Sequence, residues 1–210
     1  MRTVLFVTAF LVAVPVRQDP VASKEPPLQL TVEVDGAPHT ATDGQDLTFT
    51  IAGKPVKVKV TVAPTRRFRA AGVEFDFPRD MGFAHDADAN LETWTLDGDD
   101  VTVMLYRFPT GEAAEMTQST LVGMIESLDA KAKEPEPCTL ALGGKEHAGL
   151  RSRVTIGEAA TLDTIAVGIA RGEGCLLLMV QDSLDDDGKR SAQCAAVLEL
   201  LAKTFVLGAK

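Results

Sequence analysis

The chain has 210 residues and a mass of 22.4 kDa, which suits one ordinary domain with at most a small appendage. Acidic residues number 30 and basic residues 21, giving a formal net charge of −9, and aromatic residues make up only 5%. A chain of this kind binds a phosphate backbone poorly and offers few side chains for base stacking, so nucleic acid is disfavoured as a partner. Three cysteines and three histidines are too few and too scattered for a zinc module.

Residues 1–23 have the pattern of a secretory signal peptide. Arg2 supplies a short positive region, residues 4–14 form an apolar run, and Pro15 ends it. As a helix this run would span about 16 Å, which is roughly half of a bilayer core and too short for a transmembrane helix. We therefore predict a periplasmic or secreted location, with an uncleaved membrane anchor or a buried core helix as alternatives. No cysteine follows the run directly, which disfavours a lipid anchor.

Residues 24–65 are predicted to form a linker and a small β unit. The start of this segment is polar and rich in proline, as linkers are. Alternation of apolar and polar residues then predicts three short strands, at 28–34, 47–51 and 56–62.

Residues 66–210 are predicted to form the main body. Alternation and turn residues predict strands at 73–78, 92–96, 101–108, 138–142, 149–156, 161–170 and 175–180, and helical spacing predicts helices at 112–131 and 188–207. Short hairpin turns require antiparallel pairing, and a helix that is apolar along one stripe must cover a sheet face. The predicted fold class is α+β: a mostly antiparallel sheet covered by two helices, preceded by the small β unit.

Five segments of the body follow a recognisable order: GVEFDFPRDMGF, RFPTGEAAEM, GLRSRVTI, TIAVGIARGEGCLLLMV and, in the last helix, LLAKTFVL. Over residues 68–207 this order resembles the PsbP-like superfamily, which includes the DcrB-like envelope lipoproteins and a Ran-binding Mog-type protein. The resemblance implies a PsbP-like α+β sandwich and a non-enzymatic accessory or binding role. No functional motif of the superfamily matches here, so it assigns no site residues.

One acidic segment suggests a metal site. Asp86, Asp88 and Asn90 follow the start of a calcium-binding loop, in which alternate side-chain oxygens face the ion. The sixth position of that loop is Leu91 instead of glycine and the twelfth is Asp97 instead of glutamate, so a solvated loop is the alternative. The sequence contains no Gly-x-Ser-x-Gly elbow, and we predict no catalytic residue and no cofactor.

Two cysteines are candidates for a disulfide. Cys138 alternates with apolar residues on its predicted strand, and Cys194 lies on the apolar stripe of the last helix. If the intervening strands run up and down as a meander, both cysteines come to the same end of the sheet, which favours a Cys138–Cys194 bond in an exported protein. The alternative is three buried thiols, including Cys175, that pack as small apolar groups.

Basic residues gather at two places. Arg66, Arg67 and Arg69 lie where the body begins, and Arg151 and Arg153 alternate along a strand. Both groups are predicted to be solvated faces, with a docking patch for an acidic partner as the alternative.

These features together predict an exported, non-catalytic accessory or binding protein of the bacterial cell envelope. Its partner would be another protein or a small ligand, and its membrane contact would be limited to an uncleaved N-terminal segment. The alternatives are a metal-dependent hydrolase that uses Asp86 and Asp88, and a membrane-anchored structural envelope protein.

Overall fold

The computed structural model describes residues 25–26, 28–34, 36–42, 58–128, 131–132, 134–156 and 160–208. The segment 1–23 and the strand predicted at 47–51 lie outside these ranges. The strands are β1 (Leu28–Val34), β2 (Ala37–Thr42), β3 (Val58–Ala70), β4 (Val73–Pro78), β5 (Gly82–Ala87), β6 (Glu92–Asp97), β7 (Val101–Phe108), β8 (Lys131–Ala132), β9 (Glu136–Leu142), β10 (Lys145–Ile156), β11 (Ala160–Arg171), β12 (Gly174–Ser183) and β13 (Val206–Leu207). The helices are α1 (Ala113–Ser127) and α2 (Ala192–Thr204).

The strands form two antiparallel sheets. The first sheet has the order β13-β4-β3-β1-β2. The second has the order β5-β6-β7-β12-β11-β10, with β8 and β9 both pairing with β10. The α+β class, the antiparallel pairing and the two helices are confirmed, but the single sheet is corrected to two. The second sheet follows directly from the short turns that connect β5 to β7 and β9 to β12.

β3 connects the predicted N-terminal unit with the body. Its first half pairs with β1 and its second half pairs with β4, so one strand crosses the expected boundary at residues 65 and 66. The buried side chain of Arg66 lies on this strand and donates from Nε to the carbonyl oxygen of Pro26 at 2.9 Å. Its guanidinium also lies 5.3 Å from the centre of the Phe77 ring. The hairpin β1–β2 is therefore part of the first sheet.

The main core lies between the two sheets and α2. Phe68 and Phe75 of the first sheet stack with ring centres 4.8 Å apart, and Phe68 meets the edge of Trp94 from the second sheet. Leu201 and Phe205, from α2 and its C-terminal end, complete the same cluster. Burying each such side chain contributes about 1.5–3 kcal/mol, so this cluster is what joins the sheets.

β12 explains why the second sheet needs cover on both faces. Its run CLLLMV has no polar alternation, as expected for a strand buried on both sides. Leu176 and Leu178 face the main core, whereas Leu177 and Met179 pack against Leu121 of α1. α1 therefore covers the outer face of β10, β11 and β12.

The helix ends are fixed by local hydrogen bonds. Ser191 caps α2 by accepting from the backbone N–H of Cys194 at 3.0 Å. At the other end of α2, the N–H groups of Gly143 and Gly144 donate to the carbonyls of Leu201 and Ala202 and so satisfy exposed acceptors. No helix within the described ranges is long and apolar enough to cross a membrane.

Candidate functional site

The predicted metal residues lie around the turn between β5 and β6. Asp86 is part of strand β5, so its predicted placement in a loop is wrong. Asp88 uses Oδ1 to accept from the backbone N–H groups of Asn90 at 2.7 Å and Leu91 at 2.9 Å, an arrangement that closes the turn. Among the described residues, no group of three or more His, Cys, Asp and Glu side chains is placed to hold a metal ion. Metal binding by Asp86, Asp88 and Asn90 stays a prediction.

The three cysteines are free thiols in the structure. Cys194 is buried in the main core and Cys138 packs against the same cluster, in agreement with their predicted apolar faces. Burial, together with the negative charge of Asp182, raises the pKa of Cys194 to about 12. The Cys194 thiol is thus protonated at neutral pH and a poor nucleophile. The Cys138–Cys194 disulfide stays a prediction.

A buried carboxylate explains the arginines at 151 and 153. The side chain of Asp163 is only 2% exposed, and it accepts from Arg151 at 2.7 and 2.5 Å and from Arg153 at 3.3 Å. Burial raises the pKa of Asp163, but the hydrogen bonds and charges of the two arginines outweigh this effect and the pKa lies below its ordinary value. These arginines serve a partner within the chain, a role that their alternation alone did not reveal.

A second buried carboxylate lies directly across the sheet from Asp163. Asp182 on β12 is its cross-strand neighbour, and it accepts from the hydroxyl of Ser191 at 2.7 Å and from the Ser191 N–H at 3.2 Å. Since Ser191 caps α2, this contact fixes the start of the helix on the sheet. Every polar group named in this cluster is engaged in structural bonds, so the cluster holds the fold together and offers no reactive group.

The arginines at 66–69 also pair within the chain. Arg67 contacts Glu74 at 3.4 Å and Asp76 at 3.1 Å, and Arg69 contacts Glu74 at 3.2 Å. Since their acidic partners lie on the adjacent β4, these side chains form a cross-strand charge network. The described geometry gives no support to a docking patch for an acidic partner at this place.

Two cavities border the second sheet. One of about 590 Å³ lies among the turns at the end of β7, β11 and β12 and includes Arg107 and Arg171. Both arginines already donate within the chain, Arg107 to Glu92 and Arg171 to the carbonyls of Gly72 and Gly208. The other cavity, of about 470 Å³, lies between the start of α1 and β10 and is lined mainly by small residues. In the first cavity Arg171 Nε is buried without a hydrogen-bond partner among the described residues, although both terminal nitrogens of this arginine donate. The second cavity has no charged residue in its lining.

The most distinctive surface is the outer face of β6 and β7, which α1 leaves uncovered. We define the β6–β7 face as the side chains of Thr93, Thr95, Met104, Tyr106 and Phe108. The register places Thr93 opposite Tyr106 and Thr95 opposite Met104, so these side chains share one side of the sheet. All five are partly exposed, whereas the alternate positions Trp94, Leu96, Val101, Val103 and Leu105 are buried in the main core.

The aromatic residues of the β6–β7 face are held in place by their neighbours. The rings of Tyr106 and Phe108 stack with centres 6.3 Å apart, and the Tyr106 hydroxyl donates to the sulfur of Met104 at 3.1 Å. Met104, Tyr106 and Phe108 also pack against the cluster beneath α1. Partial burial raises the pKa of Tyr106 above its ordinary value. The face therefore presents apolar rings and hydroxyl groups whose positions are fixed by contacts with neighbouring side chains.

The β6–β7 face could have been predicted from the alternation of side chains along β7. In VTVMLYRF the positions that alternate with the core-facing Val103 and Leu105 are Met104 and Tyr106 rather than charged residues. An outward face with this composition indicates a partial cover or a partner. The helix makes its main contacts with β10 to β12, so the part over β6 and β7 stays partly exposed.

Comparisons with known proteins place the chain near two types of protein by fold. No family model matches, and no curated protein is similar in sequence. A solved structure of the Ran-binding protein Mog1p from Saccharomyces cerevisiae shares 11% identity and a TM-score of 0.45, over 68% of this chain and 95% of Mog1p. Cyanobacterial PsbP (CyanoP) from Synechocystis sp. PCC 6803 shares 15% identity and a TM-score of 0.47, over 70% of this chain and 94% of CyanoP. A distant Mog/PsbP-like similarity is thus confirmed, but at these TM-scores it carries no argument about partner or activity.

Proposed function

We propose that the protein is an exported, non-catalytic accessory protein that binds another protein through the β6–β7 face. The observation that carries this proposal is a flat, partly exposed sheet face with two aromatic rings and a methionine. Tyrosine, phenylalanine and methionine are enriched in the centres of protein interfaces. The aromatic rings bury much apolar area with little loss of conformational freedom, and the flexible thioether of methionine adapts its shape to a partner.

The support for export comes from the sequence alone. The positive residue and the apolar run within residues 1–23 are typical of a secretory signal. Fractionation of cells that produce the C-terminally tagged protein tests this part of the proposal. We expect the processed protein in the periplasmic or secreted fraction, and full-length protein in the cytosol would contradict export.

Capture experiments with matched variants test the binding face. Thr93→Arg introduces a long charged side chain at the centre of the face without changing the core, whereas Thr139→Arg makes the same change at an exposed position of β9. We expect the parent and Thr139→Arg proteins to retain the same specific partner and Thr93→Arg to lose it. Equal retention by both variants, or no retention above a blank matrix, would contradict the proposed function.

A further inference from the structure

The charges around the β6–β7 face carry an inference about the partner. Asp86 of β5 is opposite Thr93 in the register, and Thr93 is opposite Tyr106. These three cross-strand neighbours form a row on one face of the sheet, from an exposed acid to an aromatic ring. Two rows further along the same face, Asp97 of β6 is opposite Thr102 and accepts from its hydroxyl at 2.7 Å. Exposed carboxylates therefore form the outer rim of the face.

The helix supplies the opposite wall and further negative charge. Gln118 lines the cavity on the β10 side of α1, and Met116, two residues away, lies about 200° around the helix from it. Met116 thus belongs to the β7 side of α1. Glu112, the N-cap residue, is exposed and its side chain makes no capping hydrogen bond. Exposed acids thus lie at the β5 edge of the face and at the start of α1.

Basic side chains approach this surface at its Phe108 end, where Arg107 and Arg171 line the same cavity as Phe108. α1 has the sequence AAEMTQSTLVGMIES, which contains no lysine or arginine. The outward positions of β5, β6 and β7 likewise contain none, because Arg107 lies opposite Glu92 and Leu176, which belong to the inner face. The surface therefore combines apolar rings with the exposed acids Asp86, Asp97 and Glu112, and its arginines lie at the Phe108 end.

Resting on the proposed function, we propose that the β6–β7 face binds a basic polypeptide segment whose lysine or arginine side chains alternate with apolar ones. The apolar side chains would pack on Tyr106, Phe108 and Met104, and the cations would lie against Asp86 and Glu112. Complementary charge steers such partners and excludes others. A second copy of this chain does not fit, since two acidic faces would repel each other.

The probe for this proposal is a short fluorescent peptide of lysine and leucine, with a glutamate and leucine peptide as its charge-reversed counterpart. Binding is measured by anisotropy, and its position is mapped by NMR shifts of the backbone amides of the full mature protein. We expect the lysine peptide to bind and to shift the amides of β6, β7 and α1, and the glutamate peptide to bind at least about tenfold more weakly. Binding should weaken as salt is added, because the rim charges are exposed.

Matched charge variants separate local recognition from net charge. The pair Asp86→Asn and Glu112→Gln removes two acids from the rim, and the pair Asp186→Asn and Glu199→Gln removes two exposed acids beside and on α2. We expect the first pair to weaken lysine-peptide binding by about fivefold and the second pair to leave it unchanged within about twofold. Equal loss in both pairs, or amide shifts confined to residues 182–188, would overturn the proposal.

The outcomes also distinguish this inference from the proposed function. If Thr93→Arg loses a captured partner but that partner does not depend on Asp86 and Glu112, the binding face stands and the basic partner is wrong. If Thr93→Arg changes neither capture nor peptide binding, the face itself is wrong.

Discussion

Removing one member of the buried Asp163 cluster should give a graded loss of stability, largest where a buried charge is left without its main partner. Asp163 is 2% exposed, Arg151 28% and Arg153 51%. Arg151→Met leaves the carboxylate buried with only the longer contact to Arg153, and breaking such a buried pair costs about 3–5 kcal/mol. We expect this variant to lose about 3–4 kcal/mol in the free energy of unfolding.

The other two variants should cost less. Asp163→Asn removes the charge but leaves two arginines that can reach water, so we expect a loss of about 2–3 kcal/mol from weakened hydrogen bonds. Arg153→Met removes the most exposed of the three groups, which should cost at most about 1 kcal/mol. The expected order of destabilisation is therefore Arg151→Met, then Asp163→Asn, then Arg153→Met.

Urea unfolding measures these differences directly. The protein has a single tryptophan, Trp94, which is buried at the sheet interface and reports on loss of the core. Asp186→Asn, at an exposed position, serves as the control and should change the free energy of unfolding by less than about 0.5 kcal/mol. A larger loss for Arg153→Met than for Arg151→Met would refute the argument from burial.

The same cluster should make the free energy of unfolding depend on pH. The pKa of Asp163 is lower in the folded protein than its ordinary value of about 3.9, so its contribution is fully present above that value. It is lost as the pH falls below about 4 and through the folded pKa, because the protonated carboxyl no longer attracts the arginines. In urea unfolding at a series of pH values, we expect the free energy of unfolding of Asp163→Asn to fall less across this window than that of the parent protein.

Three further predictions concern packing, hydrogen bonding and thiol chemistry. Gly168→Ala should destabilise the protein by about 1–3 kcal/mol in thermal unfolding, because its Cβ would lie 2.5 Å from the hydroxyl oxygen of Thr117 on α1. Gly123→Ala, on the exposed side of α1, should stabilise the protein by about 0.5–1 kcal/mol in the same measurement. Ser152→Ala should be neutral or slightly stabilising in urea unfolding, since its buried hydroxyl has no hydrogen-bond partner among the described residues; a loss above about 1 kcal/mol would point to a bound water. Thiol labelling at pH 8 should leave Cys194 unmodified in the folded protein, because its pKa is about 12. Labelling after denaturation, with and without reductant, tests the disulfide: equal counts would exclude a Cys138–Cys194 bond.

The fold class could be predicted from the sequence because its strongest patterns are local. The period-two alternation of VEFDFP and VTVMLYRF and the turns at Gly143-Gly144 and Gly172 each fix an element or a hairpin. The division into two sheets was missed, since it depends on β3, which pairs with the following β4 through a short turn and also with β1, a strand distant in sequence. Strand β5 was missed because its sequence, GFAHDA, is short and polar, and only pairing with β6 makes it a strand.

The candidate site was harder to predict than the fold. The alternation of Arg151 and Arg153 is typical of a solvated strand face. The residues near them in the sequence do not predict that Asp163, ten residues after Arg153, is their partner. That partner became visible only through the β10–β11 register. The β6–β7 face likewise depends on where α1 stops covering the sheet, which is a tertiary property that no periodicity encodes.

The contact of Arg66 with residues 25 and 26 has a mechanical consequence. Arg66 Nη2 contacts Glu25 at 2.8 Å, and Leu28 is the register partner of Arg66. The start of β1 therefore lies beside the part of β3 that pairs with β4. A pull on the N-terminal side would therefore pass through Arg66 into β3 and the core, while the β1–β2 turn would lie outside the path of the force. A force applied to the chain before residue 25 would therefore act on the core through Arg66 and β3, and it would not act on the turn between β1 and β2.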